Sequence, residues 1–280
     1  MKKQKKKDLT KTKKNKGVSM MSVSQNRGGV FLPVSKTIHM SPLRKYVFQN
    51  KWQEVTIEGR PLTATHQDII EAIFFCAEDI KEFQGGKLAV KFAPGKILKL
   101  LDAGENYTWL YEKIKDLTLN IITIKKIGDK DQMPPIKHII DDFDKTDESM
   151  NKKLPNGEYA KYRYIVFSET FMSFLRNDVL LFYKDKIPAI LSLKNPILKS
   201  IARFCLSHKE TNMSLDEVLD SLKVSAGKRY RRKIKKEIVE NANSLLSFGI
   251  KLLKIRTGDN AGKIGIFYNK KDILLQHNNQ

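Results

Sequence analysis

The order helix, helix, helix, two-stranded ribbon occurs twice along this chain. It predicts an α+β fold of two tandem winged-helix domains, mainly helical, with short antiparallel β-wings. Three observations carry that prediction. Helices with capping residues and apolar stripes recur at matching places in the two halves. Strand-like stretches follow each third helix. The last long helix opens with seven cations between Lys228 and Lys236 and no acid. The 280 residues, 41% of them hydrophobic, suffice for the cores of two domains.

Residues 1–35 read as a disordered basic tail, because KKQKKKDLTKTKKNK has almost nothing apolar to offset its ordering entropy. Residues 36–176 form the N-terminal winged-helix domain. Order begins near residues 45–57 and continues through 62–65. HQDIIEAIFFCAED then places Ile69, Ile70, Ile73, Phe74 and Ala77 at helical spacing behind Thr65 as N-cap. KLAVKF is strand-like, residues 93–101 form a second helix with Pro94 in its first turn, and Asn106 caps a third. The stripe of that third helix is Tyr107, Leu110, Tyr111, Ile114 and Leu117. Residues 119–126 and 159–167 are expected to pair as the wing, joined by a long polar loop over 128–158 that holds Pro134-Pro135 and Gly157.

Residues 177–280 form the second winged-helix domain. Asn195-Pro196 opens a helix that buries Ile197, Leu198, Ile201, Phe204 and Cys205. Ser214-Leu-Asp-Glu217 is a capping box at the start of SLDEVLDSLKV. Ser225 is expected to cap the basic helix, which runs to about Phe248 before Gly249. Residues 250–256 and 264–269 make a hairpin through the turn-rich TGDNAGK.

Charge narrows the partner. Lys and Arg number 52 against 31 acids, a net +21, and a polyanion is the first candidate to neutralise it. No apolar run approaches the ~18 residues of a spanning helix, and no signal peptide is visible, so no membrane is expected. Cys76 and Cys205 sit in apolar helical patterns and read as buried free thiols, which fits a reducing, cytoplasmic compartment.

The basic helix makes the polyanion duplex DNA. At 100° per residue, Tyr230, Ile234, Ile238, Asn241 and Leu245 share one face, the expected core side. Arg229, Arg232, Lys233 and Lys236 point away from it, with Lys228 at the start and Arg231 and Lys235 on the flanks within reach of phosphates. Cations at a helix N-terminus oppose its dipole unless an anion offsets them. The second helix of a helix-turn-helix reads the major groove, where arginine pairs with guanine. Lys254, Arg256 and Lys263 would sit on the wing. The third helix of the first half carries Lys113 and Lys115 against Glu105, Glu112 and Asp116, a balanced surface that favours backbone contact or self-association.

The segments LTATHQDIIEAIF, YTWLYEKIKDLTLNIITI and YIVFSETFMSFL, with the helix-turn-helix after them, resemble the iteron-binding plasmid replication initiators of the RepE/TrfA type over roughly residues 42–269. That resemblance implies a C-terminal winged helix that reads direct repeats at a replication origin. It implies an N-terminal one that dimerises and touches the DNA backbone. Monomers would open the origin and recruit the host initiator and replicative helicase, while dimers would repress the initiator's own gene. Carried over by position, Arg229, Arg232, Lys233 and Lys236 would be the recognition contacts. The long loop over 128–158 departs from that pattern.

Other classes find little in the residues. His39, His66, His138, His208 and His277 never approach within two of one another, so the paired-histidine metal site of a nicking nuclease is not encoded. Asp141, Asp142 and Asp144 lack the glycine and spacing of a calcium loop. GxxxxGK[ST] is absent around Gly95-Lys96. No enzyme, catalytic residue, metal or cofactor is expected. A winged-helix transcriptional repressor without an initiation role is the alternative that sequence leaves open, because one fold serves both. An RNA-binding sheet would display its aromatics, and most of the 14 phenylalanines lie in apolar runs.

Overall fold

The computed structural model describes residues 21–27, 30–34, 45–83, 85–128, 135–145, 152–153, 159–160, 162–178, 180–181, 183–224 and 227–270. Most of the expected tail, including the lysine-rich 1–20, lies outside them, as does Ser225. Its upper part corrects the expectation of a disordered tail to residue 35. β1 (Met21–Ser22) leads into α1 (Val23–Asn26), closed by a Ser22–Gln25 capping box. Met21, Val30, Phe31 and Leu32 are buried in the core. These few apolar residues lie beyond the lysine run, so burial recovers the entropy lost on ordering them.

β2 (Lys45–Gln49) and β3 (Gln53–Glu58) form a hairpin. Asn50 shapes its turn, with Oδ1 accepting from the N–H groups of Trp52 and Gln53 at 3.0 Å each. α2 (Ala64–Phe75) follows, with Thr63 rather than Thr65 at its N-cap. It stops at Phe75, so Ala77 opens β4 (Ala77–Glu82) instead of continuing the helical stripe. β5 (Leu88–Phe92), α3 (Pro94–Leu100) and α4 (Tyr107–Asp116) occupy the expected places. Asn106 caps α4, its Oδ1 accepting from Trp109 N–H at 3.1 Å.

The expected pairing of 119–126 with 159–167 does not form. β6 (Ile121–Lys126) pairs antiparallel with β3, giving a sheet in the order β2-β3-β6. The expected loop holds β7 (Ile140–Lys145), and a short ladder joins β8 (Lys152–Lys153) to β9 (Tyr159–Ala160). β10 (Arg163–Phe167) lies between β5 and β7, in a sheet of order β4-β5-β10-β7. α2 packs over these strands, with Phe74 stacked on Phe167 at 4.6 Å between ring centroids.

α5 (Glu169–Asn177) is capped by Ser168, and β11 (Leu180–Leu181) returns to pair with β1. α6 (Ile187–Ser192) leads to α7 (Pro196–Leu206), whose N-cap Asn195 accepts from Ile197 N–H at 2.8 Å. β12 (Glu210–Ser214), α8 (Leu215–Ser221) and α9 (Lys228–Glu240) follow. Gly227 stands at the α9 N-cap, where Ser225 was expected. The helix ends at Glu240, well short of Phe248, and α10 (Asn243–Leu246) is a separate turn before Gly249, which takes a left-handed φ of 73°. β13 (Ile250–Lys254) and β14 (Ile264–Asn269) close the hairpin, in a sheet of order β12-β14-β13.

Part of the element order recurs in the two halves. Once β4, β6, the β8–β9 ladder and α10 are set aside, each runs helix, strand, two helices, two strands: α2, β5, α3, α4, β7, β10, then α7, β12, α8, α9, β13, β14. In both, the last strand lies between the first and second of the three. The halves are also joined through one continuous apolar core. At their junction Arg203 of α7, 1% exposed, donates from Nη2 to Glu71 Oε2 at 2.7 Å and to Asp68 Oδ1 at 2.5 Å, both on α2. Lys199 reaches Asp68 Oδ2 at 2.6 Å, and Tyr183 Oη donates to Glu71 Oε1 at 2.7 Å. Asn26 of α1 donates to the Tyr183 hydroxyl at 3.0 Å, which draws the N-terminal segment into the same network. Burial alone would lower the Arg203 pKa, and the two carboxylates more than offset it, so the guanidinium stays charged.

Candidate nucleic-acid interface

The surface built by α8, α9 and the β13–β14 hairpin gathers the predicted site residues. Its frame begins at Ser214. The hydroxyl accepts from Glu217 N–H at 3.3 Å, while Glu217 Oε2 accepts from Ser214 N–H at 2.7 Å, so both ends of the first α8 turn are satisfied. Ile234 and Ile238 of α9 are buried against this frame, and Leu245 of α10 joins them.

One flank of α9 is clamped to α8. Arg231 donates from Nε to Asp216 Oδ1 at 3.1 Å, from Nη1 to Asp220 Oδ1 at 2.6 Å, and from Nη2 to the Asp216 carbonyl at 2.8 Å. Lys235 donates to Asp216 Oδ2 at 2.5 Å. Partial burial pushes the Asp216 carboxyl up, but Lys235 and Arg231 outweigh it and hold it below the usual range. Arg231 and Lys235, expected on the flanks within reach of phosphates, therefore orient the helix in this structure.

The outer face is different. Lys228, Arg229, Arg232, Lys233 and Lys236 are exposed. Lys233 lies 3.9 Å from Glu237 and Lys236 3.7 Å from Glu240, loose i,i+4 pairs at the surface that contribute little. Lys228, Arg229 and Arg232 make no ion pair among the described residues. The expected stripe fails at its first member, Tyr230, 60% exposed, and at Asn241, exposed beyond the helix end, while Leu245 is buried. The first turn of α9 overhangs the core, and packing begins only at Ile234.

The hairpin carries Lys254, Arg256 and Lys263 in exposed positions. Its tip is tied back to α8. Lys263 donates to Asn260 Oδ1 at 2.8 Å, and Asn260 Nδ2 donates to Glu217 Oε2 at 3.4 Å. Gly265 is required where the hairpin twists, because a Cβ there would lie 2.8 Å from Ile255 Cγ1 and 2.9 Å from Phe267.

The matching helix of the first half, α4, keeps Glu112 and Lys115 exposed and gathers charge at its buried end. Asp116 at its end receives Arg60 at 3.1 Å, buried His66 at 3.3 Å and Lys113 at 3.4 Å. Burial raises the Asp116 pKa, but the His66 hydrogen bond and the nearby charges overcome it and bring it to about 2. His66 Nδ1 accepts from Thr63 N–H at 3.0 Å, so Nε2 carries the proton donated to Asp116.

Other chemistry is sparse. Among the described residues no three His, Cys, Asp or Glu side chains gather as a metal site, and no helix is long and apolar enough to cross a membrane. Asp141 pairs with Lys87 at 2.7 Å. Cys76 and Cys205 are free, and burial pushes their thiols up to about 11 and about 12. Sequence reasoning missed the clamp acids Asp216 and Asp220. Their signal was two acids one turn apart on a short helix, directly before a helix rich in cations.

No protein-family model matches the chain, and neither does any curated protein. Two solved structures are similar in fold. A crystal structure of selenomethionine derivatives of domains 2 and 3 of RctB superposes with a TM-score of 0.54 at 11% identity, covering 89% of this chain and 98% of that one. A second crystal structure of RctB domains 2–3 gives 0.49 at 10% identity, over 88% and 95%. At that identity the likeness is one of fold.

Proposed function

We propose that this chain is a replication initiator that binds direct repeats in duplex DNA. In this reading α9 enters the major groove and the β13–β14 hairpin lies over the neighbouring backbone as a wing. The observation that carries it is the division of the α9 cations. Arg231 and Lys235 are committed to Asp216, so the helix is held rigidly, while Lys228, Arg229, Arg232, Lys233 and Lys236 face outward. A preoriented helix with an uncompensated cationic face suits base readout by arginine and backbone contact by lysine.

Both halves are read as winged helices, which the shared strand order supports. The fold shared with domains 2 and 3 of RctB accords with the initiator reading, and the symmetry of the bound site separates it from repression. The first half, whose α4 surface balances Lys115 against Glu112, serves dimerisation and backbone contact. Origin opening, recruitment of the host initiator and replicative helicase, and autorepression by the dimer complete the proposal. The protein works in the cytoplasm as a binding protein, without catalysis or a cofactor.

Selection of bound duplexes from random DNA tests this directly. A consensus that recurs as direct repeats beside the gene is expected. A single inverted repeat would favour the repressor alternative. Arg232→Ala and Arg229→Ala should each cost about 1–3 kcal/mol of specific binding. Unchanged affinity for the selected site in both variants would refute the assignment of α9.

A further inference from the structure

A cleft of about 800 Å³ opens where the β2–β3 hairpin of the first half meets the C-terminal end of α7 in the second, away from the outer face of α9. Its lining is strongly basic. The acid there among the described residues is Asp178, and it is already spent: Oδ1 accepts from Lys126 and Oδ2 from Ser24 N–H, each at 2.9 Å. Arg27, Lys51, Lys209 and Lys270 also line the cleft and make no ion pair among the described residues. Lys209 and Lys270 are exposed and held side by side, because Lys270 N–H donates to the Lys209 carbonyl at 2.9 Å beside the β12–β14 ladder.

Two of these cations lie over one aromatic. Lys51 Nζ lies 4.6 Å from the centre of the Trp52 ring and the Arg27 guanidinium 5.7 Å, while Phe204 and His208 pack against the same ring at 5.5 Å. Two polar atoms of lining residues are buried without a partner: Arg27 Nε and His208 Nε2. His208 Nδ1 must donate to the Phe204 carbonyl at 2.8 Å, since a carbonyl only accepts, and this leaves Nε2 open. Burial lowers the Arg27 pKa by more than the nearby Asp178 carboxylate raises it, and it lowers that of His208 as well.

Cations lining one cleft repel one another, and the buried, unpartnered Arg27 Nε donor is costly. An anion relieves both. We propose that this junction cleft is a phosphate-binding site, taking the phosphate oxygens of a polyphosphate chain or of a nucleic-acid strand, separate from the α9 surface. Arg27 supplies a planar donor fork, Lys51, Lys209 and Lys270 supply point charges, and a bridging water or phosphate hydroxyl meets His208 Nε2. The site is made from both halves, so occupancy would be felt by each. The inference does not depend on the initiator reading.

The chain has two tryptophans, so Trp109→Phe in the full protein leaves Trp52 as the sole indole reporter within the cleft. Its emission is titrated with inorganic triphosphate, and separately with a short single-stranded oligonucleotide of unrelated sequence, sodium chloride holding ionic strength constant. A saturable change in Trp52 emission is expected, weakened about tenfold or more by Lys209→Ala with Lys270→Ala, two exposed positions, in the same background. Triphosphate that is displaced by the oligonucleotide marks the nucleic-acid backbone as the source. Triphosphate that resists displacement marks a free polyphosphate. Circular dichroism of each variant checks that the fold is retained. The proposal is overturned if neither probe changes Trp52 emission saturably, or if the double lysine variant leaves both titrations unchanged.

Discussion

Replacing Arg203 with methionine should destabilise the whole chain, because it breaks the charged tie between the halves. The guanidinium is 1% exposed and donates to Glu71 from Nε at 3.1 Å and from Nη2 at 2.7 Å, and to Asp68 from Nη2. Asp68 keeps Lys199, but Glu71, fully buried, keeps among the described residues only the Tyr183 hydroxyl. Removing one partner of a buried pair strands the other charge, at about 3–5 kcal/mol. Against the ~5–15 kcal/mol by which domains are usually stable, that is a large fraction. Urea denaturation of wild type and Arg203→Met, followed by circular dichroism and by tryptophan emission, measures it. Because the core is continuous, both probes should report one transition, shifted alike. Adding Glu71→Gln should recover part of the loss, since the stranded charge is then gone. A loss below ~1 kcal/mol, or two transitions of which only one moves, would refute the view that the halves fold as one body.

Asp116 gives a pH signature. Its folded pKa of about 2 lies below the ~3.9 of an unfolded aspartate, so it contributes about 2–3 kcal/mol that is complete above pH ~4 and lost as pH falls through about 2. His66 also loses a partner in Asp116→Asn, so the gap between wild type and variant is read below pH ~4, where it should close towards pH 2; a gap that stayed open at pH 2 would contradict the assignment. Deleting residues 1–20 should leave the melting temperature unchanged, while deleting 1–34 removes the buried Met21, Val30 and Phe31 and should cost about 5 kcal/mol or more, read by thermal denaturation. Asp216→Asn should barely alter stability, since its pairs are partly exposed. By releasing Lys235, while Arg231 keeps Asp220 and the Asp216 carbonyl, it should steepen the log–log salt dependence of non-specific DNA binding by about one phosphate contact, about 0.9, and an unchanged slope would remove the Lys235 clamp from the account.

Local signals in the sequence located three helix starts, while Thr63 and Gly227 took the places expected for Thr65 and Ser225. Asn106, Asn195-Pro196 and the Ser214–Glu217 box cap helices where their chemistry places them, because a cap is satisfied within three residues. The cationic face of α9 was legible for the same reason: spacing along one helix fixes which residues share a side. Strand partners were not legible. The alternation over residues 119–126 suits any neighbour, and it was the open edge of β3 that took β6. IDDFDK is acidic and poor in strand formers, and it becomes β7 only because β10 offers an edge.

By itself, then, the sequence determined the helices and closing hairpin of the second half, three of the caps, and a basic helix seven cations dense. Tertiary structure decided which of those cations are spent. Arg231 and Lys235 lost their freedom to Asp216, 15 and 19 residues earlier, and Arg203 was drawn inside by Glu71, 132 residues away. It also decided that Arg27 and Trp52, unremarked in the chain, stand together at the junction of the halves. Caps and helix faces depend on neighbours within a turn or two, whereas burial and pairing depend on contacts that exist only once the chain has closed on itself.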